Sequence, residues 1–216
     1  MKLLIISNFN HNASKQLVKY LNFRKINFDH IDSSKKKKLK ILKSYDYLIS
    51  FLNSVYIEKK VREKIKINSF NFHPGPPEYP GFGCYNFALL DEVNFYGSTI
   101  HIINDKFDNG KIINVKKFKI SYQKLNLEKL ITMTHKIILK QAKGFINDII
   151  KKKLKVNCKF RWKRKAFTKK EFEIARKVKL TDSKKDILKK MKAFTYKDYE
   201  SVYISLKGFN FEFKNR

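Results

Sequence analysis

The stretch Ser69-Phe70-Asn71-Phe72-His73-Pro74-Gly75-Pro76-Pro77-Glu78-Tyr79-Pro80-Gly81 decides how this sequence is read. Ser69 to His73 has the pattern of a strand. Residues two apart on a strand point to the same face, so Asn71 and His73 project together. All four prolines of the chain follow, interleaved with Gly75, Gly81 and Gly83. Proline fixes φ and glycine reaches conformations closed to other residues, so this segment is a rigid irregular loop. In an open α/β sheet the carboxyl ends of the strands border the ligand crevice, which puts Asn71 and His73 at its rim.

Working outward, strand and helix patterns alternate. Leu3–Ile6 is a continuous apolar run, as expected of a strand buried on both faces. Ala13–Tyr20 reads as a helix, Ile26–Ile31 as a strand, Lys35–Leu42 as a short basic helix and Tyr45–Leu52 as a strand. Ile57–Ile65 reads as a helix leading into the Asn71 strand. Ser98–Ile103 and Lys111–Ile120 read as strands joined by a turn at Asn104–Gly110. Leu127–Leu154 is an amphipathic helix, with Leu127, Leu130, Ile131, Ile138, Ala142, Phe145 and Ile149 on one stripe. The fold expected is α/β: a Rossmann-like, mostly parallel sheet with helices on both faces. After Leu154 the chain turns basic, with Phe160, Trp162 and Phe167 interleaved. Helical patterns at Lys170–Val178 and Ser183–Phe194 follow, and then a hairpin over Val202–Phe213 turning near Lys207-Gly208. The domain reading is a catalytic domain over 1–155 and a small C-terminal extension over 156–216.

The chain has 216 residues, one ordinary domain and a little more. Its formal net charge of +30 raises the question of nucleic acid. The basic residues are nearly all Lys, alongside abundant Ile, Asn, Phe and Tyr. A/T-rich codons produce that composition without selection for a polyanion, and dedicated phosphate readers favour Arg for its planar fork. Nucleic acid is therefore not the expected partner. The two cysteines, Cys84 and Cys158, lack zinc spacing; a reduced chain is the simpler reading, and a disulfide between them stays open. No signal h-region and no apolar run of about 20 residues is present, so a cytoplasmic chain without a membrane partner is expected.

Asn, His and a carboxylate suit attack of an amine on a carbonyl. An amide N–H and an imidazolium stabilise the oxyanion, and the imidazole shuttles the proton. The carboxylate comes from Asn104-Asp105-Lys106-Phe107-Asp108-Asn109-Gly110. On the residues alone the question stays open. Asn71 and Asp108 also read as turn formers, Asp105 rivals Asp108, and His73 reads equally as structural. His101 reads as a supporting group or a packing residue. No cluster supports a metal.

The Asn71–Gly81 stretch resembles the signature of the folate-dependent formyltransferase family. Gly97-Ser98-Thr99-Ile100-His101 and Asp108-Asn109-Gly110-Lys111-Ile112-Ile113 are similar to its second block, with Asn109 where Thr is commoner. The resemblance spans about Leu3 to Leu154. It implies a catalytic trio of Asn71, His73 and Asp108, with 10-formyl-tetrahydrofolate as donor. It also implies a folate site between Phe51–Ile57 and Ile103–Asp108, for which Leu52, Asn53, Val55 and Asn104 are the candidates. The branch most resembled is that of the sugar N-formyltransferases, so a nucleotide-linked amino sugar is the expected acceptor. The loop after the first strand lacks the glycines of the glycinamide ribonucleotide enzymes. The tail is shorter than the barrel of the methionyl-tRNA enzymes. Tyr79, Phe82 and Tyr85, with Asn86, are candidates for the acceptor pocket. The Lys159–Lys165 cluster reads as a solvated face, or as a diphosphate or RNA contact. The C-terminal hairpin suits pairing between subunits of a homodimer. The alternatives are a methionyl-tRNA formyltransferase-like enzyme and a non-catalytic basic protein that binds nucleic acid.

Overall fold

The computed structural model describes residues 1–154, 159–197 and 199–213. Strands β1 (Leu3–Ser7), β2 (Phe28–Asp32), β3 (Tyr45–Phe51), β4 (Ile65–His73), β5 (Phe95–Ile102) and β6 (Ile112–Lys119) form one sheet, ordered β2-β1-β3-β4-β5-β6. The first four strands are mutually parallel; β5 runs antiparallel to β4 and to β6. Leu3 to Ser7 are all buried, as a strand covered on both faces requires.

Helices α1 (Asn12–Phe23) and α4 (Leu127–Ile150) cover one face. Leu17 and Leu21 of α1, and Ile138, Phe145 and Ile149 of α4, pack on Leu3, Ile5, Phe51, Phe70 and Phe72. The Asn126 side chain caps α4 by accepting from the Lys129 N–H at 2.9 Å. The other face is covered by the short helix α2 (Lys59–Arg62) together with Leu39, Val55 and Ile57. Lys35–Leu42 forms no helix. Four consecutive lysines repel one another there, and Asp32 draws the chain into a turn by accepting from the Ser34 N–H and hydroxyl, both at 2.9 Å. The helix expected over Ile57–Ile65 shrinks to α2, because Ile65 already pairs with Tyr45 as the first residue of β4.

The C-terminal part is fastened to the sheet domain by a core of its own. Helices α3 (Cys84–Leu90), α5 (Lys169–Arg176) and α6 (Lys184–Phe194) share a cluster that includes Tyr79, Leu89, Tyr96, Phe167, Phe172 and Phe194. Asn86 of α3 donates to the carbonyl of Ala193 in α6 at 2.8 Å. A capping box opens α5, where Thr168 and Glu171 satisfy each other's backbone groups. Strands β7 (Lys177–Val178), β8 (Tyr203–Leu206) and β9 (Phe209–Glu212) complete a small sheet, and β8 and β9 form the expected hairpin about Lys207-Gly208. The expected boundary between domain and extension, and Cys158, fall in 155–158, outside the described residues.

Candidate active site

β4 ends at His73, beside β5 in antiparallel register. Asn71 lies opposite His101 and His73 opposite Thr99. The loop that follows is held by side chains beneath it. Thr99 donates to the Gly75 carbonyl at 2.8 Å, and Tyr96 donates to the Pro74 carbonyl at 3.1 Å. After β5 the chain reverses through Asp108-Asn109-Gly110, with Asp108 at φ 40°. An L-residue in that region is strained and persists only where its surroundings insist on it. Here they do. A Cβ on Gly110 would lie 1.7 Å from the Ile102 carbonyl oxygen, so the turn is pressed against the end of β5.

The turn delivers the Asp108 carboxylate into a set of donors. Oδ2 accepts from the Gly81 N–H at 2.8 Å and sits 3.1 Å from His73 Nδ1. Oδ1 accepts from Asn71 Nδ2 at 3.2 Å and lies 3.1 Å from His101 Nε2. His73 Nε2 is 2.8 Å from the Tyr79 carbonyl, which can only accept, so that nitrogen carries a proton. Both His73 nitrogens thus face acceptors, an arrangement satisfied by the imidazolium. His101 Nδ1 donates to the Ile102 carbonyl at 2.9 Å, and its Nε2 is 3.1 Å from Asn71 Nδ2.

These groups are out of water: the His73 and Asp108 residues are 3% and 9% exposed. Burial pulls the His73 pKa down, but the charge of Asp108 and the hydrogen bonds to Asp108 and Tyr79 outweigh it and hold the pKa above the usual imidazole value. Burial pushes the Asp108 carboxyl up, and the two imidazoles more than reverse that, leaving it well below the usual carboxylate range. The site is an ion pair built ahead of any substrate. An imidazolium and an amide N–H stand side by side, both held by one carboxylate. Such a pair stabilises negative charge growing on a carbonyl oxygen, and the imidazole passes a proton when that charge collapses.

A profile of the formyl transferase family matches residues 29–146, more than half of the chain. The chain belongs to the formyl transferase family. No curated relative matches it by sequence. Among solved structures it is similar to a sugar N-formyltransferase from a Shewanella species, at 16% identity and a TM-score of 0.78, covering 100% of this chain and 97% of that one. It is similar to the N-formyltransferase from Helicobacter canadensis in complex with folinic acid and dTDP-3-aminofucose, at 19% identity and a TM-score of 0.72, covering 96% and 84%. It is also similar to HypX from Aquifex aeolicus in complex with tetrahydrofolic acid, at 15% identity and a TM-score of 0.73, covering 97% of this chain and 36% of that one. At these identities the likeness establishes a formyl transferase fold.

On that fold the structure brings Asn71, His73 and Asp108 together and adds His101. Asp105, the rival carboxylate, faces away and pairs with Arg62. The residues expected at the folate site line two facing loops. Leu52 turns the chain at the end of β3 with φ 46°. Asn53 holds its own loop, donating to the Val55 carbonyl at 2.8 Å and accepting from the Val55 N–H at 3.0 Å. Opposite, Asn104 accepts from the Lys106 N–H at 3.0 Å. Tyr56 joins the loops by donating to the Asp105 carbonyl at 2.9 Å and packing on Phe107.

The aromatics expected at the acceptor pocket divide. Phe82 is exposed. Tyr79 packs instead against Phe167 and spends its hydroxyl on Asp91 at 2.8 Å. Tyr85 packs toward Tyr96, with its hydroxyl oxygen buried. Both tyrosines serve the core that fastens the tail, which claims their rings before a ligand can.

Trp162 is the residue that sequence reasoning missed. It lies in a run otherwise rich in Lys and Arg, a pattern that reads as a solvated face. Its indole N–H donates to the Gly110 carbonyl at 2.8 Å, and its ring stands edgewise to His101 and His73, with centroids 5.2 and 5.9 Å apart. The available signal was chemical. A lone tryptophan amid charges is costly to leave in water, and its N–H seeks an acceptor. Among the described residues no group of His, Cys, Asp and Glu is arranged to hold a metal ion, and no helix is long and apolar enough to cross a membrane.

Proposed function

We propose that the chain transfers a formyl group from 10-formyl-tetrahydrofolate to the amine of a nucleotide-linked amino sugar. The observation that carries this reading is the preformed Asn71–His73–Asp108 cluster at the carboxyl edge of the sheet. The match to the formyl transferase family supports it. The Helicobacter N-formyltransferase of the same fold, in complex with folinic acid and dTDP-3-aminofucose, supports the acceptor class.

Leu52 and Val55 are packed in the hydrophobic clusters on the two faces of the sheet, so a folate would meet chiefly the peptide groups of the facing loops. Arg62 neutralises Asp105, so no unpaired charge of that pair opposes a pterin. When bound, the folate supplies an activated formyl carbon. As the acceptor amine attacks, Asn71 and the His73 imidazolium each turn an N–H from a resting partner (Asp108 or His101 for Asn71, Asp108 or the Tyr79 carbonyl for His73) toward the formyl oxygen. Asp108 holds both donors and keeps His73 charged. His73 then hands a proton toward the departing nitrogen and regains one from the amine. Among the candidate acceptor contacts, Phe82 stands edgewise to Phe172 at 4.9 Å and keeps an exposed side for a sugar or base. The division of the chain into a catalytic domain over 1–155 and an extension over 156–216 is part of this reading, with the tail completing the wall of the site.

The test mixes purified protein, 10-formyl-tetrahydrofolate and a panel of nucleotide-linked amino sugars, and follows release of tetrahydrofolate alongside formylated product. Turnover with a sugar, lost in His73→Ala, is the expected result. Turnover with methionyl-tRNA and no sugar would replace the acceptor class, and absence of any transfer would sink the reading.

A further inference from the structure

The tail does more than fill the second core. Between Lys163 and Phe167 it is stitched to the Pro/Gly loop by backbone hydrogen bonds, with one parallel bridge between Gly81 and Phe167. Lys163 N–H donates to the Pro77 carbonyl at 3.0 Å, Phe167 N–H to the Pro80 carbonyl at 2.8 Å, and Phe82 N–H to the Phe167 carbonyl at 2.9 Å. The Arg164 guanidinium lies 3.3 Å from the centre of the Phe167 ring and pairs with Glu171 at 2.8 Å, which fixes the segment to the start of α5. The residue immediately before this stitched stretch is Trp162, whose half-buried ring stands edgewise to both imidazoles. Its hydrogen bond lands on Gly110, two residues past the carboxylate that holds both donors.

We propose that Trp162 is a positioning residue of formyl transfer: it tethers the Asp108–Gly110 turn and shuts water out of the space over His73 and His101. The inference rests on the functional reading above. The chemistry gives such a residue a definite task. The same polarised formyl carbon that an amine attacks can be attacked by water. In that side reaction a bond forms from water oxygen to the formyl carbon, the carbon–nitrogen bond to the folate breaks, and the folate nitrogen takes a proton. The products are formate and tetrahydrofolate, and no amine is formylated. The Asn71–His73 pair assists both attacks equally, so the choice between them depends on which nucleophile is admitted. An indole packed against the imidazoles fills space that bulk water would otherwise take, while the amine arrives held by its own binding contacts on another side.

The experiment measures two products in the same reaction: tetrahydrofolate released and amine formylated. Wild type is expected to give a ratio near one. Trp162→Ala is expected to raise the share of tetrahydrofolate released without formylated amine by about tenfold, the change that about 1.4 kcal/mol in relative barriers produces. Its kcat for transfer is expected to fall while the KM for the sugar holds. Trp162→Phe keeps the cover and loses the N–H, and is expected to restore coupling while kcat stays below wild type. A folded Trp162→Ala or Trp162→Phe protein with wild-type coupling and kcat would overturn the proposal. A second readout needs no substrate. The chain contains a single tryptophan, so the protein shows one indole N–H signal by nitrogen-15 NMR. That signal is expected to exchange slowly with water and to shift in His73→Gln. Rapid exchange with no response to His73→Gln would show that the cover is absent in solution, and the proposal fails. The two possible failures are separable. A wild type that turns over no acceptor overturns the functional reading and the coupling role with it. A wild type that turns over while Trp162→Ala stays coupled overturns the role of Trp162 alone.

Discussion

Two tight reversals end in glycine, Asp108-Asn109-Gly110 and Lys207-Gly208, and both place a residue other than glycine at positive φ, Asp108 at 40° and Lys207 at 47°. Their surroundings differ. A Cβ on Gly110 meets the Ile102 carbonyl at 1.7 Å, whereas one on Gly208 finds nothing within 4 Å. Asp108 is buried with four partners from three different parts of the chain; Phe209 and Phe211, just past the second turn, are exposed. The hairpin turn serves only its own two strands. The Asp108 turn holds an unfavourable backbone conformation because that is what brings a carboxylate to Asn71, His73 and His101 at once.

The largest effect separating the two is expected from Asp108→Ala. Turnover should fall by about 10²–10⁴, the usual worth of a positioned acid–base group. Stability measured by denaturant should fall by about 3–5 kcal/mol, because the imidazolium loses its buried counterion. Full activity in this variant would make the turn an ordinary one and end the contrast. Gly110→Ala comes next, with a loss of about 3 kcal/mol from overpacking against a backbone oxygen that has nowhere to go.

Of the two turns, the first alone should make stability depend on pH. His73 has a raised pKa in the folded state, so its contribution is full below about pH 6.5 and is lost as pH rises through the higher folded value. Asp108 has a lowered one, so its contribution is present above about pH 3.9 and is lost as pH falls through the lower folded value. His73→Gln should flatten the alkaline decline in unfolding free energy. A decline that persists unchanged in this variant would assign it to another group. The smallest effect is expected from Gly208→Ala. The φ of 85° there costs an alanine about 1 kcal/mol, with no clash added and no change in turnover.

How legible all this was in the sequence depended on whether the deciding contact was local. β1 could be read because a run of apolar residues has one good use. Asn71 and His73 could be paired because a strand's two-residue period needs no tertiary knowledge. Asp108 was one of two acidic residues in a seven-residue turn, and neither period nor composition separates it from Asp105; the family's second block did that. His101 stayed ambiguous because its role depends on the register of β5 against β4. Tyr79 and Tyr85 were read toward the crevice and are used by the core, since neither period nor composition shows that Phe167 and Tyr96 pack on them. Trp162 was hidden for the same reason: its partner, Gly110, is 52 residues away. The Lys35–Leu42 helix failed where weak apolar anchors were set against a run of like charges.

The parallel bridge between Gly81 and Phe167 sets an order of events for a chain emerging from the ribosome. All six strands of the main sheet precede residue 120, so the sheet can form while the tail is still being made. The wall of the site cannot. Until Phe167 has left the exit tunnel, the Pro77 and Pro80 carbonyls lack their partners and Tyr79 lacks the Phe167 ring that stacks on it. A nascent chain at that stage carries its Asn71–His73–Asp108 cluster open to solvent, and synthesis of the segment through Phe167 closes it.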